Sequence, residues 1–129
     1  VEVAGVFSPV FARADWESRR ADLECKAFDD KLRVDLVTCG SELIAYIVST
    51  INHNGMGEID SLCVGEQYRG RGIGKELIRR ALDWMSSEGA KSYTLQVVHG
   101  NDRAMSLYQS LGFSPVMHVL MIPPHRSWE

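Results

Sequence analysis

The sequence Gln67-Tyr68-Arg69-Gly70-Arg71-Gly72-Ile73-Gly74 places three glycines at alternate positions between two different patterns. A strand-like run precedes it over residues 58–64, and apolar residues at helical spacing follow over residues 77–85. Glycine has no Cβ, so a ligand can approach the backbone closely. The first N–H groups of a helix lack intrahelical partners, and the helix dipole makes that end positive. This strand–loop–helix unit therefore predicts a phosphate site.

Two better-known phosphate motifs do not fit the loop. A Walker loop needs four residues between its glycines, followed by Lys and a hydroxyl residue. Here three residues separate Gly70 from Gly74, and Glu76 follows Lys75. A dinucleotide fingerprint needs a third glycine at the place that Lys75 occupies. Three basic side chains nevertheless surround the loop, namely Arg69, Arg71 and Lys75.

Length, composition and charge indicate one compact soluble domain over residues 1–129. The chain has 129 residues, is 45% hydrophobic and carries a formal net charge of −3. Its basic residues cluster only locally, which argues against general nucleic-acid binding. No apolar run approaches the roughly 18–20 residues of a membrane helix. The sequence therefore predicts neither a nucleic-acid partner nor a membrane partner.

The cysteines indicate a reducing compartment. Cys25, Cys39 and Cys63 are odd in number and lack the spacing of metal ligands, so reduced thiols, no metal and a cytoplasmic location are expected. The N-terminus shows no signal-peptide pattern, and its first residue, Val1, is consistent with a trimmed start.

The periodicity predicts a mixed α and β chain without a linker. Residues 1–12 are expected to form a short strand or a packed loop. Helices are predicted over residues 15–29, 72–87 and 101–111, and strands over residues 32–38, 43–51, 58–64, 92–98 and 116–122. Gly40-Ser41 joins the first two of these strands as an antiparallel hairpin.

Two blocks of residues resemble the GNAT superfamily of N-acetyltransferases. The first is Gln67-x-x-Gly70-x-Gly72, and the second comprises Asn101, Ala104, Leu107-Tyr108 and Leu111-Gly112-Phe113. The close match covers residues 58–113 and a looser one covers 42–122, whereas the first forty residues match poorly. The resemblance implies an α/β fold of the acyl-CoA N-acyltransferase type. Such a fold has a mixed, mostly antiparallel sheet, helices on both faces, and two central strands, 58–64 and 92–98, that splay apart.

In this family the glycine loop holds the pyrophosphate of acetyl-CoA through backbone amides, here those of residues 69–75. The strand end, residues 62–64, pairs with the pantetheine arm, and a bulge there directs one N–H at the thioester carbonyl. Val64 is the expected donor to the oxyanion. The cofactor-binding residues that the resemblance implies are Leu62, Cys63, Val64, Gln67, Arg69, Gly70, Arg71, Gly72, Ile73, Gly74, Lys75, Asn101 and Tyr108.

Tyr108 lies seven residues, about two helical turns, after Asn101, so both side chains can face the cofactor. Family members use a tyrosine at this place to protonate the leaving thiolate, and an ordinary phenol with a pKa of about 10 is protonated at neutral pH. The alternative is a core tyrosine that packs against Ala104 and Leu111. Asn101 is either a plain helix cap or a cap that also contacts the pantetheine.

The general base has more than one candidate. Some family members place a glutamate six residues before the Val64 position, where Glu58 stands, and Asp60 has the same strand parity. A subgroup that acetylates protein N-termini carries a glutamate where this chain has Gln96, and an amide cannot act as a base. Glu58 is the first choice, with a solvated carboxylate as its alternative. A water relay through one of two histidines is a further alternative, and these are His99 and His118.

The resemblance implies direct acetyl transfer from acetyl-CoA to a primary amine of a small molecule or peptide. Cys63 is then a small core residue rather than a nucleophile. The alternatives are a non-catalytic module that binds or senses acyl-CoA, and a nucleotide phosphate binder. The acidic early helix would suit a cationic amine, although a solvated helix face is the preferred explanation of its charges. A homodimer through the last strand is compatible with the sequence.

Overall fold

The structure is a computed structural model that describes residues 30–125. The chain divides after Val98 into two compact units. The strand or loop expected in residues 1–12 and the helix expected over 15–29 lie outside the described residues.

The first unit contains a four-stranded sheet in the order β1-β2-β3-β4. Its strands are β1 (Lys31–Cys39), β2 (Glu42–Ile51), β3 (Met56–Val64) and β4 (Ser92–Leu95). β1 pairs antiparallel with β2, β2 antiparallel with β3, and β3 parallel with β4. The mixed, mostly antiparallel sheet is therefore confirmed. So is the first hairpin, whose turn is closed by Gly40 at a φ of 63°.

Helix α1 (Ile73–Ser87) covers one face of the sheet and contacts β2 and β3. The residues that it buries recur at three- and four-residue spacing, and they are Leu77, Ile78, Ala81 and Met85. The close approach depends on Gly57 of β3, because a Cβ there would lie 2.5 Å from Met85 Sδ and 2.8 Å from Ser92 O. A residue without a side chain lets the helix and the sheet meet at this point.

The opposite face of the sheet carries a second apolar cluster. Tyr46 and Val48 of β2 are buried there, and Leu32, Val34 and Cys63 pack against them. Cys63 therefore contributes to the core of this face, as the sequence predicted.

A β-bulge interrupts β3 at Asp60. Consecutive β2 residues Val48 and Ser49 pair with Ser61 and Ile59, so β3 has one extra residue between them. This corrects two expectations. Residues 61–64 pair in regular register, so no bulge lies at 62–64. Ser61 also shares a face with Glu58, because their partners in β2 are two residues apart. The alternation that would have given Asp60 and Glu58 the same parity is therefore broken.

The parallel ladder between β3 and β4 is short. It runs from Met56 and Ser92 to Ile59 and Leu95, so the predicted strand over 92–98 ends three residues early. β4 itself ends at the last pair, and the bulge at Asp60 follows directly in β3, a feature that commonly ends pairing. Beyond Ile59, no strand of the described residues pairs with β3 on the β4 side, so this side of β3 is open where the splay was expected.

The second unit contains helix α2 (Asp102–Ser110). The Asn101 side chain caps its start by accepting a hydrogen bond from the Ala104 N–H at 3.3 Å. At its end, Gly112 has a φ of 100°, and the N–H groups of Gly112 and Phe113 donate to the carbonyls of Gln109 and Tyr108. This is a Schellman motif, in which a left-handed glycine ends the helix.

The strand predicted over residues 116–122 is wrong. This segment has no regular secondary structure, and the side chains of Val116 and Leu120 are 88% and 91% exposed. An apolar run becomes a strand only when a neighbouring strand satisfies its backbone, and the described part of the second unit contains no strand. Dimerisation through this segment stays a prediction. Neither α1 nor α2, the helices of residues 30–125, is long and apolar enough to cross a membrane.

We expect Gly57→Ala to destabilise the fold by about 1–3 kcal/mol, because the added methyl overpacks the contact with Met85. Urea unfolding measures the loss. Removing the long side chain in a Met85→Ala background should reduce the cost of Gly57→Ala. An equal cost in both backgrounds would show that the contact with Met85 is not its source.

Candidate functional site

β3 leads directly into the glycine loop. The Gly65 N–H donates to the Ile44 carbonyl of β2 at 2.8 Å, and a single 3₁₀ turn, Glu66–Tyr68, follows. Gln67 lies exposed on this turn, which the sequence did not predict as a separate element. The turn brings the chain from the end of β3 to the start of α1 within nine residues, Val64 to Ile73.

Backbone conformation explains why two of the three alternating residues are glycines. Gly70 and Gly72 have φ values of 77° and 81°, which residues with a side chain rarely adopt, and apart from the adjacent residues no atom of residues 30–125 lies within 4 Å of either Cβ position. Glycine is therefore required here by backbone geometry rather than by packing within the protein. Gly74 is an ordinary helical residue, the second of α1.

The start of α1 presents a row of unused amides. The first hydrogen bond of the helix runs from the Glu76 N–H to the Gly72 carbonyl at 3.0 Å. The N–H groups of residues 70–75 donate to no backbone carbonyl of the described residues. The Arg69 amide differs, because it donates to the Glu66 carbonyl at 3.4 Å. The row of free donors therefore begins at Gly70, one residue later than predicted, and it matches the requirements of an anion.

The three predicted cations have three different positions. Arg69 turns back, and its Nε donates to the Val64 carbonyl at 3.2 Å. The Arg71 guanidinium lies over the Tyr68 ring, 5.4 Å from the centroid. Lys75 is exposed in the first turn of α1. All three belong to the loop and the helix start, but only Arg69 contacts the end of β3.

Glu76 is an acidic residue beside this anion site, and two arginines compensate it. Its Oε1 lies 2.6 Å from Arg79 Nη2 and 3.1 Å from Arg80 Nε. These hydrogen bonds, first with Arg79 and then with Arg80, lower the pKa of Glu76 to about 2. Its carboxylate in turn raises the pKa of Arg79. Arg79 and Arg80 are exposed on α1, and their charges offset that of Glu76.

The end of β3 offers hydrogen-bonding groups along its open side. Because the Gly65 N–H donates to β2, the alternation of an antiparallel ladder turns the N–H and C=O of Val64 the other way. Leu62, two residues earlier, has the same orientation. Both residues therefore point their backbone groups toward the side that β4 has left. An extended ligand with amide groups can pair there as an added strand would.

The candidate base and the candidate acid lie in different parts of the chain. Glu58 is half-buried in β3, opposite Thr50 of β2 and Thr94 of β4. Tyr108 belongs to the second unit, so the first unit brings together β3, the loop and α1, whereas Asn101 and Tyr108 come together on α2.

Tyr108 is half-buried, and burial raises the pKa of its phenol, which keeps it protonated at neutral pH. Its ring meets that of Phe113 edge to face, with centroids 6.2 Å apart. Phe113 is the residue that the Schellman motif places against Tyr108. Gly112 followed by Phe113 at the end of α2 is the sequence signal for this contact.

Residues 6–113 match the Acetyltransferase (GNAT) family. The chain belongs to this family. Over 63 residues it is 40% identical to the uncharacterized N-acetyltransferase YobR of Bacillus subtilis (strain 168), a match covering 49% of the chain and 26% of YobR. Over 57 residues it is 40% identical to N-alpha-acetyltransferase 30 of Schizosaccharomyces pombe, covering 44% of the chain and 38% of that protein. The matches thus span well under half of either relative.

A solved structure shares the fold of this GNAT chain. AAC(6')-Iy in complex with the bisubstrate analogue CoA-S-monomethyl-acetylneamine has a TM-score of 0.71 and 21% identity, covering 92% of this chain and 84% of that one. The α/β architecture and the family that the two motif blocks indicated are confirmed.

The low pKa of Glu76 makes a prediction about stability at acidic pH. A carboxylate whose pKa is lowered on folding stabilises the protein at pH values above its ordinary pKa of 4.5. That stabilisation is lost as the pH falls from 4.5 to about 2. Glu76→Gln should therefore flatten the dependence of Tm on pH in this window. Glu66→Gln, which removes an exposed carboxylate outside the cluster, is the control. Parallel curves for Glu76→Gln and wild type would contradict the prediction.

Proposed function

We propose that this protein transfers the acetyl group of acetyl-CoA directly to a primary amine, giving an N-acetyl product and free CoA. The observation that carries the proposal is that two sets of backbone hydrogen-bonding groups follow each other along the chain, one at the end of β3 and one at the start of α1. The open side of β3 ends at Val64, and the unbonded amides of residues 70–75 begin six residues later. Membership of the acetyltransferase family supports acetyl-CoA as the ligand that uses both sets.

The pyrophosphate of acetyl-CoA would lie at the amides of residues 70–75. Each negative charge at a helix N-terminus contributes about 0.3–1 kcal/mol, so the charges of the pyrophosphate together anchor the cofactor there. Arg71 and Lys75 add positive charge, and Gln67 borders the loop. The pantetheine arm would pair with Leu62 and Val64, and no metal takes part.

Val64 is the proposed oxyanion donor. As the amine attacks, the thioester carbonyl becomes a tetrahedral oxyanion, and a fixed N–H stabilises that charge more than it stabilises the ground state. When the carbonyl re-forms, the carbon–sulfur bond breaks and the thiolate takes a proton from Tyr108, which burial keeps protonated. Asn101 caps the helix that carries Tyr108.

The base must remove a proton from the amine. A lysine-type amine has a pKa of about 10.4, so presenting it neutral at pH 7 costs about 4–5 kcal/mol. Glu58 is the proposed base. Six residues of extended strand span about 20 Å, so a proton released near Val64 reaches Glu58 only through water. Asp60, in the bulge, is nearer along the strand and is the alternative.

The acceptor class is a small-molecule or peptide amine. Similarity to N-alpha-acetyltransferase 30 favours a peptide, whereas Gln96 lacks the carboxylate expected of an N-terminal acetyltransferase. A CoA-release assay with amino acids, polyamines, aminoglycosides and peptides tests the proposal. Stoichiometric acetyl-CoA binding without turnover would support a non-catalytic module instead. Calorimetry that shows tight ATP or NAD binding without CoA binding would support a nucleotide site.

Tyr108→Phe should lower kcat about 100-fold, because the variant keeps the ring contact with Phe113 but loses the acid. In the wild type, kcat should decline only above the ordinary tyrosine pKa of about 10, since the pKa of Tyr108 is raised. Tyr93→Phe, at an exposed position of β4, is the matched control. Equal kcat values for Tyr108→Phe and the control would exclude Tyr108 as the acid.

Glu58→Gln should lower kcat/KM about 100-fold and remove the acidic limb of its pH profile, because an amide cannot accept the proton. Asp60→Asn is measured beside it. If Glu58→Gln left both kcat/KM and the profile unchanged while Asp60→Asn altered them, the role of base would pass to Asp60.

A further inference from the structure

Arg69 connects the glycine loop to the end of β3. Its Nε donates to the Val64 carbonyl at 3.2 Å, across five residues of chain. The Arg69 backbone N–H also closes the 3₁₀ turn through the Glu66 carbonyl. Both the backbone and the side chain of Arg69 therefore make hydrogen bonds within the protein, although the residue is exposed.

The peptide group between Val64 and Gly65 is held on both sides. Its N–H donates to the Ile44 carbonyl of β2 at 2.8 Å, and its C=O accepts from Arg69. A hydrogen bond from a charged donor is stronger than one between neutral groups. Arg69 therefore holds the outward-facing carbonyl of Val64 where β4 no longer pairs with β3, and the ladder with β2 orients the neighbouring Val64 N–H.

We infer that Arg69 is a positioning residue, which fixes the Val64 carbonyl, and with it the backbone of Val64 beside the oxyanion donor, and does not bind the pyrophosphate through its side chain. This inference rests on the proposed function. The Val64 carbonyl has a second lone pair, so a pantetheine amide can share it with Arg69. Arg71, one residue beyond Gly70, contacts the Tyr68 ring, whereas the hydrogen bond to the Val64 carbonyl comes from Arg69.

Two acetyl donors separate the two roles. Acetyl-CoA carries the pyrophosphate, whereas S-acetyl-pantetheine has the same thioester and amide arm without it. A side chain that aligns Val64 matters for both donors. A side chain that binds pyrophosphate matters for acetyl-CoA alone. Arg69→Met and Arg71→Met remove one guanidinium each, on either side of Gly70, and form a matched pair.

Arg69→Met should lower kcat about 10-fold with either donor while KM changes little, because the lost interaction serves the transition state. Arg69→Lys, which retains a charged donor, should recover part of this loss. Arg71→Met should raise the KM for acetyl-CoA and leave kinetics with S-acetyl-pantetheine unchanged. The inference would be overturned if Arg69→Met lowered kcat with acetyl-CoA alone. It would also be overturned if Arg69→Met turned over S-acetyl-pantetheine faster than the wild type does.

Amide exchange of Gly65 provides a readout that does not need activity. Its N–H should exchange faster in Arg69→Met than in wild type, and at the wild-type rate in Arg71→Met. Unchanged Gly65 protection in a folded Arg69→Met variant would overturn the role of Arg69. Absence of turnover by the wild type with either donor, despite increased exchange in Arg69→Met, would overturn the proposed function but leave the structural role of Arg69 supported.

Discussion

The parallel ladder between β3 and β4 ends at Ile59, directly before the bulge at Asp60. Every backbone N–H and C=O needs a partner, so a strand that loses its neighbour must find other partners. Leu62 and Val64 turn their groups toward the vacated side, and the candidate site begins there. A longer ladder would have used these groups within the sheet and left none for a ligand.

The glycine loop extends this open side to the helix. Gly70 and Gly72 adopt left-handed conformations that leave the amides of residues 70–75 without backbone partners in the described chain. The charges nearby have separate roles: Arg79 and Arg80 offset Glu76, Arg71 lies over Tyr68, and Arg69 holds the end of β3. A count of basic residues would have treated all of them as one positive patch.

Much of the architecture could be predicted from local patterns. The first hairpin, the helices α1 and α2, and the cap at Asn101 follow from periodicity, turn residues and capping chemistry, which act over a few residues. The exceptions all depend on distant partners. The run over 116–122 is apolar enough for a strand, but the second unit provides no strand beside it within the described residues. The bulge at Asp60 arises from pairing with β2, and its position is not visible in the alternation of β3 alone.

The glycine spacing and the second motif block were sufficient to identify the family, because φ requirements and helix signals are local properties of the chain. Of the amides predicted at residues 69–75, those of residues 70–75 lack a backbone partner in the described chain. Only the tertiary structure decided which groups those local signals leave available. Whether Val64 faces a neighbour or a ligand depends on where β4 stops, and whether Arg69 faces an anion or a carbonyl depends on how the chain returns past β3. Both depend on how separate segments of the chain lie in space, and a local sequence pattern does not specify that arrangement.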